Sequence, residues 1–278
     1  MRLLTLHSFS GQLSATDSPF GWWIAVYFAL AALSSGLILS AVVTCAFSKE
    51  PQLLRRASWS AVLLAFLGCL CLIADLAAPQ EFLLTLTHFN PESWIAWGSR
   101  ILGLFLILLL TASVTLPRQG WDWGASCMAF LLGVTALCLA TYPAFVLLQA
   151  SVSRPLWASN LLPLLFLLSA IHLGISAAGS LLGTRPRKSF FNLVILLELG
   201  VWGLFAASKW SLLFVTPASW LLLTIYLVGS FALPLMTRST TKENSGKSWM
   251  LSGLAFFGAI SMRLWLLEAG QSSQSFLS

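Results

Sequence analysis

Charge is what this chain has least of. Only 9% of its 278 residues are Asp, Glu, Lys or Arg, against 58% hydrophobic, and the mean hydropathy is +0.87. A soluble domain carries roughly a quarter charged residues, so a water-soluble globular fold is excluded and the composition is that of a polytopic membrane protein. Histidine is nearly as scarce: of His7, His88 and His172, only His172 falls in an apolar stretch. A membrane haem held by paired intramembrane histidines is therefore excluded. The five cysteines (Cys45, Cys69, Cys71, Cys127, Cys138) contain no CxxC pair. That rules against an iron–sulfur cluster, a metal site and a disulfide framework, and leaves small apolar packing as their simplest role. There is no P-loop, no GxGxxG after a strand and no HExxH. The first 20 residues are polar and lack the segment order of a removable signal peptide. If such a protein takes part in electron transfer, its substrate must carry the electrons, as a quinone does.

What is present is a series of apolar runs of membrane length. They predict an all-α, single-domain polytopic bundle of eight transmembrane helices over 21–47, 58–78, 94–116, 122–148, 159–183, 190–208, 213–236 and 248–268. Pro and Trp mark many of the ends, for example Pro79, Trp94 with Trp97, Pro117 with Trp121, and Pro155 with Trp157. Trp favours the headgroup level, and Pro is tolerated where helices begin or end. The connections after spans 1, 3, 5 and 7 hold ten basic residues: Lys49, Arg55, Arg56, Arg118, Arg185, Arg187, Lys188, Arg238, Lys242 and Lys247. The other side holds Arg2, Arg154 and Lys209. Under the positive-inside rule both termini are expected outside, which in a Gram-negative cell makes them periplasmic and the protein an inner-membrane one. The net charge of +6 is then a topology signal. Its dispersal over short loops speaks against a nucleic-acid partner.

Spans 1 and 5 echo one another. Phe28, Leu30, Ala32 and Gly36 recur as Phe166, Leu168, Ala170 and Gly174 at an offset of 138 residues. Both stretches are rich in small residues, which let membrane helices approach closely. An offset of four spans predicts two parallel four-helix repeats.

Four charges sit inside the spans or at their rim: Asp75, Arg100, Glu198 and Arg263. A charge in hydrocarbon is costly and marks a functional site by default. Asp75 at the end of span 2, Arg100 in span 3, Tyr142 near the end of span 4 and Arg263 in span 8 are all expected towards the outer leaflet, with His172 near mid-depth. Such a constellation suits quinol oxidation, which needs partners for two ring oxygens and a proton acceptor. Asp75 is the candidate base, Tyr142 and His172 the candidate ring-oxygen partners. Plainer roles stand beside these. Asp75 and Arg100 can form a structural ion pair, Tyr142 can be an interfacial belt residue, His172 can bond a carbonyl, and Arg263 can snorkel to the interface. Glu198, near the middle of span 6, has no obvious partner in the sequence. It is either a proton-pathway residue or a group bonded neutral in the core.

Three stretches resemble the NrfD/PsrC family of membrane anchor subunits. They are Tyr27 to Gly36; Asp75-Leu76-Ala77-Ala78-Pro79 through Asn90-Pro91-Glu92-Ser93 to Trp97-Gly98-Ser99; and Gly253 through Arg263 to Gly270. Tyr142-Pro143 falls where the family has its "YPG" element. The sequence departs from the family's "DLGRP", whose Gly and Arg are both Ala here, and offers only Asp17 and His7 as polar residues ahead of span 1. The resemblance implies eight helices, both termini outside, no haem, and a quinone site near the outer face. The acidic residue and tyrosine of that site correspond to Asp75 and Tyr142; the positions of Arg100, His172 and Arg263 in the spans make them further quinone-binding candidates, and that of Glu198 a proton-pathway candidate. The resemblance also implies menaquinone as substrate, with an iron–sulfur subunit and a molybdopterin catalytic subunit as partners; the short outer connections 79–93 and 149–158 offer these partners a docking platform. The competing expectation is a proton-coupled secondary transporter of a small anion, with Arg100 and Arg263 on the substrate and Glu198 carrying the proton.

Overall fold

The structure, a computed structural model, describes residues 21–75, 91–117, 120–183, 188–209, 217–232 and 245–272. The apolar runs form helices α1 (Trp22–Ser48), α2 (Pro51–Asp75), α3 (Trp94–Thr115), α4 (Trp123–Gln149), α5 (Leu162–Leu181), α6 (Lys188–Ser208), α7 (Pro217–Leu227) and α8 (Ser245–Ser272). A 3₁₀ turn, Ala150–Ser153, follows α4, and α7 continues as a π-helical segment, Val228–Ala232. No strand occurs among the described residues. Seven of the helices are long and apolar enough to cross a membrane, and the apolar part of α7, Ser219–Phe231, is shorter. The protein is thus a multi-pass membrane protein with the all-helical bundle that its composition demands.

Local chemistry explains the ends. Ser93 caps α3 by accepting from the Ala96 amide, and Asp122 caps α4 by accepting from the Ala125 amide at 2.7 Å. Lys49 adopts a left-handed conformation (φ 58°) and closes the turn from α1 into α2. The largest departure from the sequence expectation is the start of α2, at Pro51 rather than 58. Pro is favoured in a helix's first turn, and the two arginines that argued against a span are accommodated near its end. Arg55 Nε donates to the Ser113 carbonyl at the close of α3 (2.9 Å), and Lys49 lies over the Trp121 ring at 5.7 Å. These contacts mark the basic end of the bundle. At the far end lie the start of α1, Asp75, the start of α3 and the close of α4 and α8. There Gln149 ties α4 to α3, accepting from the Trp94 amide (3.1 Å) and donating to the Glu92 carbonyl (2.6 Å), while Trp94 stacks on Phe145.

The packing order shows the repeat. In the first half α1 packs on α2 and α4, and α3 joins α2 to α4; in the second, α5 packs on α6 and α8, with α7 on α8. The halves meet through α1–α5, α4–α5 and α1–α8. A shift of four helices exchanges the last two pairs and leaves the first unchanged, as a two-fold axis along the bundle requires. At that axis, residues equated by the 138-residue offset touch one another. Phe28 meets Phe166 edge to face, with centroids 6.2 Å apart. A Cβ on Gly36 would overlap the Ala170 carbonyl, and one on Gly174 would overlap the Gly36 backbone. Ala32, Ala140, Ala170, Ala255 and Ala259 continue this small-residue seam across α1, α4, α5 and α8. The outer faces carry exposed apolar side chains such as Leu63, Phe66, Ile107, Phe130, Leu196, Leu204 and Leu221, as lipid contact requires.

Gly36→Leu and Gly174→Leu should each destabilise the bundle by about 3 kcal/mol or more, since neither backbone can move without parting the halves. Gly203→Leu, with nothing within 4 Å of its Cβ, should be neutral. Thermal unfolding in mild detergent measures all three; equal midpoints would refute the central role of the crossing.

Candidate functional site

The sequence has three tyrosines, Tyr27, Tyr142 and Tyr226, and each joins one of two buried polar groups. The first group lies between α1, α2, α3 and α4, towards the far end. Tyr27 and Tyr142 are 1% and 5% exposed, and their hydroxyls hydrogen-bond to each other. Two glycines make room for the rings. A Cβ on Gly98 of α3 would overlap the Tyr142 ring, and one on Gly68 of α2 would crowd Tyr27 at 3.3 Å. Phe28 packs edge-on to Tyr142 at 6.5 Å. Pro143 within α4 removes one helical N–H next to Tyr142. Asp75 lies on the same α1–α2 seam, seven residues and so about 10 Å beyond Gly68. Its carboxylate accepts from the backbone N–H of Gly21, the residue that opens α1. An anion suits the positive end of that helix.

The second group lies inside the other half, near mid-depth. His172 Nδ1 bonds Glu198 Oε2 at 2.7 Å, and the Tyr226 hydroxyl donates to Glu198 Oε1 at 3.0 Å. Glu198 thereby links α6 to α5 and α7. Arg263 is completely buried. It donates through Nη1 to Ser169 Oγ (3.3 Å) and to the Ala259 carbonyl (3.0 Å), lies over the Phe166 ring at 5.3 Å, and acts electrostatically on Glu198 and Tyr226. Arg263 Nε and Nη2, His172 Nε2 and the indole N–H groups of Trp202 and Trp265 have no hydrogen-bond partner among the described residues. Phe231, on the π-helical segment, packs on both His172 (5.6 Å) and Tyr226 (5.2 Å).

The residues singled out from the sequence therefore divide. Asp75 and Tyr142 belong to the first group; His172, Glu198 and Arg263 belong to the second. Tyr142, Phe28, Phe166 and Arg263 form a run of ring contacts between them. Glu198, for which the sequence offered no partner, has two. Arg263 does not snorkel to an interface but sits in the core. Arg100 is half-buried on α3, two residues past the Gly98 that faces Tyr142, and so about 200° further round the helix. Tyr27 and Tyr226 went unrecognised as site residues. Their signal was the scarcity of tyrosine, three residues in the whole sequence. His7, Asp17, His88 and the docking-loop residues from Leu76 to Asn90 lie outside the described residues. No cluster of His, Cys, Asp and Glu among the described residues is arranged to hold a metal ion.

Comparison with known proteins places this geometry in a family. Residues 12–216 match the family described as polysulphide reductase, NrfD, a stretch that runs from before α1 to the residue preceding α7. The sequence is 33% identical over 178 residues to the C chain of polysulfide reductase from Wolinella succinogenes, covering 56% of this protein and 55% of that one. It is 27% identical over 194 residues to protein NrfD of Escherichia coli, covering 60% and 61%. The matched region thus spans little more than half the length of either relative. The protein belongs to the NrfD family.

Glu198→Leu strands His172 and Tyr226 and should cost about 3–5 kcal/mol, whereas the double variant His172→Leu/Glu198→Leu should regain part of that loss. Glu198→Gln keeps an acceptor oxygen and should cost less than Glu198→Leu. Denaturant or thermal midpoints in detergent decide; three equal midpoints would mean that the buried pair contributes nothing to holding α5, α6 and α7.

Proposed function

We propose that this protein is the membrane-embedded, quinone-reactive subunit of a multi-subunit respiratory oxidoreductase. The observation that carries the reading is the buried Tyr27–Tyr142 pair with Asp75 about two turns away on one seam. A quinone brings the redox chemistry in its own ring, so the protein needs only to bind, orient and exchange protons. Tyr142 is the partner of one ring oxygen. Asp75 is the partner of the other and the acceptor of the proton released when a quinol is oxidised. The second group, with Glu198 at its centre, is the candidate proton pathway between the site and the basic end.

Several features support docking of an iron–sulfur subunit at the far end, within electron-transfer reach of that seam. Glu92, Trp94, Gln149 and Arg154 form a mixed polar and aromatic surface there, and Val152 on the 3₁₀ turn is 96% exposed. The Arg154 guanidinium lies over Trp157 at 4.9 Å, and partial burial lowers it from its ordinary pKa. A molybdopterin subunit completes the proposed assembly. The name of the Wolinella relative makes a sulfur-compound reductase the first system to test. By the positive-inside rule the basic end faces the cytoplasm, which sets the far end and both termini in the periplasm of a bacterial inner membrane. Menaquinone is the expected quinone.

Asp75→Asn keeps an oxygen for the Gly21 amide but cannot take a proton. In the native complex isolated from membranes it should assemble normally and lose quinol-linked turnover by about a hundredfold or more. Turnover at the native rate would remove Asp75 from the mechanism.

A further inference from the structure

A quinone and its quinol make opposite demands on one protein group. The oxidised ring carbonyl only accepts hydrogen bonds, whereas the reduced ring hydroxyl can donate one. A single buried residue that serves both must offer a proton in one state and a lone pair in the other. A phenol has one proton and lone pairs, so it can do either, but only if its own proton has somewhere to go when it is not given to the ligand.

Tyr142 has such a place. Its hydroxyl is bonded to that of Tyr27, and either oxygen can be the donor. We propose that Tyr27 is a positioning residue whose shared hydrogen bond with Tyr142 reverses with the redox state of the bound quinone. With a quinone present, Tyr27 donates to Tyr142 and the Tyr142 proton points to the ring carbonyl. With a quinol present, Tyr142 donates to Tyr27 and its free lone pair accepts the ring hydroxyl. Each phenol keeps its own proton and only rotates it, so the reversal transfers no charge. The left-over Tyr27 proton then turns away from Tyr142 towards α2, where Cys69 follows the Gly68 that faces the Tyr27 ring.

The surroundings favour this function over plain packing. Both rings are fixed, Tyr142 by Gly98 and Phe28, Tyr27 by Gly68 and Phe28. The hydroxyls are therefore the freest parts of an otherwise immobile pair. A role in packing alone needs no hydroxyl on either ring. The two hydroxyls meet from helices 115 residues apart in sequence, in an interior where an unpaired hydroxyl would be costly.

The proposal rests on the quinone reading of this site and is tested apart from it. The full-length protein, purified in mild detergent, is titrated anaerobically with menadione and with menadiol, following tryptophan fluorescence. Tyr27→Phe keeps the ring and its packing. It leaves the Tyr142 proton without an acceptor only when the quinol is bound, so menadiol affinity should fall about tenfold and menadione affinity by less than about threefold. In Tyr27→Phe/Tyr142→Phe that difference should vanish, because Tyr27 acts through Tyr142. If Tyr27→Phe weakens both forms equally, or neither, while Tyr142→Phe weakens binding, the positioning role is wrong and the quinone site stands. If Tyr142→Phe and Asp75→Asn both bind the two forms like the native protein, the site itself is wrong and the proposal falls with it.

Discussion

Everything in this bundle depends on the approach of two helix backbones at Gly36 and Gly174. Hydrocarbon offers no hydrophobic driving force between helices, so close packing has to supply the association. The two glycines remove the only atoms that would hold α1 and α5 apart. Once these helices touch, α4 and α8 fall against them on opposite sides, and Phe28 and Phe166 are brought edge to face one level away. The polar groups of both halves are then positioned relative to this crossing, because Tyr27 follows α1 and His172 follows α5.

The scaffold is symmetric and its contents are not. The 138-residue offset pairs Ser34 with His172. Ser34 donates to the Ala61 carbonyl of α2 at 3.0 Å, while His172 reaches a carboxylate on α6. The same pair of neighbouring helices thus carries a quiet backbone contact in one half and a buried ionisable pair in the other. Tyr27 has no ionisable counterpart at that offset, where Leu165 stands. The repeat provides two similar sets of helices, and side-chain choice gives one half a pair of phenols and the other a histidine bonded to a carboxylic side chain.

Much of this was legible in the sequence, and the reasons are physical. Helix number follows from hydropathy, a quantity that each segment carries by itself. The repeat was visible because glycine and phenylalanine recur at one spacing, although nothing in the sequence said that the recurring residues would touch. The start of α2 was misread because Arg55 and Arg56 look forbidden in a span, whereas near the helix end a neighbouring carbonyl satisfies Arg55. The partition of the site was not legible. Asp75, Tyr142, Arg263 and His172 can all be assigned a depth, but which face of a helix meets which neighbour depends on the arrangement of the halves. Glu198 looked solitary because its partners lie 26 and 28 residues away, on two other helices.

The stretch between α4 and α5 has a different kind of consequence. Trp157, wholly buried, donates its indole N–H to the Leu266 carbonyl at 2.9 Å and occupies space that a side chain on Gly270 would need. The connection is therefore pinned to α8 downstream of Val152, which projects into the surroundings. Covalent continuity at Val152 serves as a tether and not as part of the interface between the halves. Two separate polypeptides, parted at that residue, would carry between them every contact that joins one half to the other.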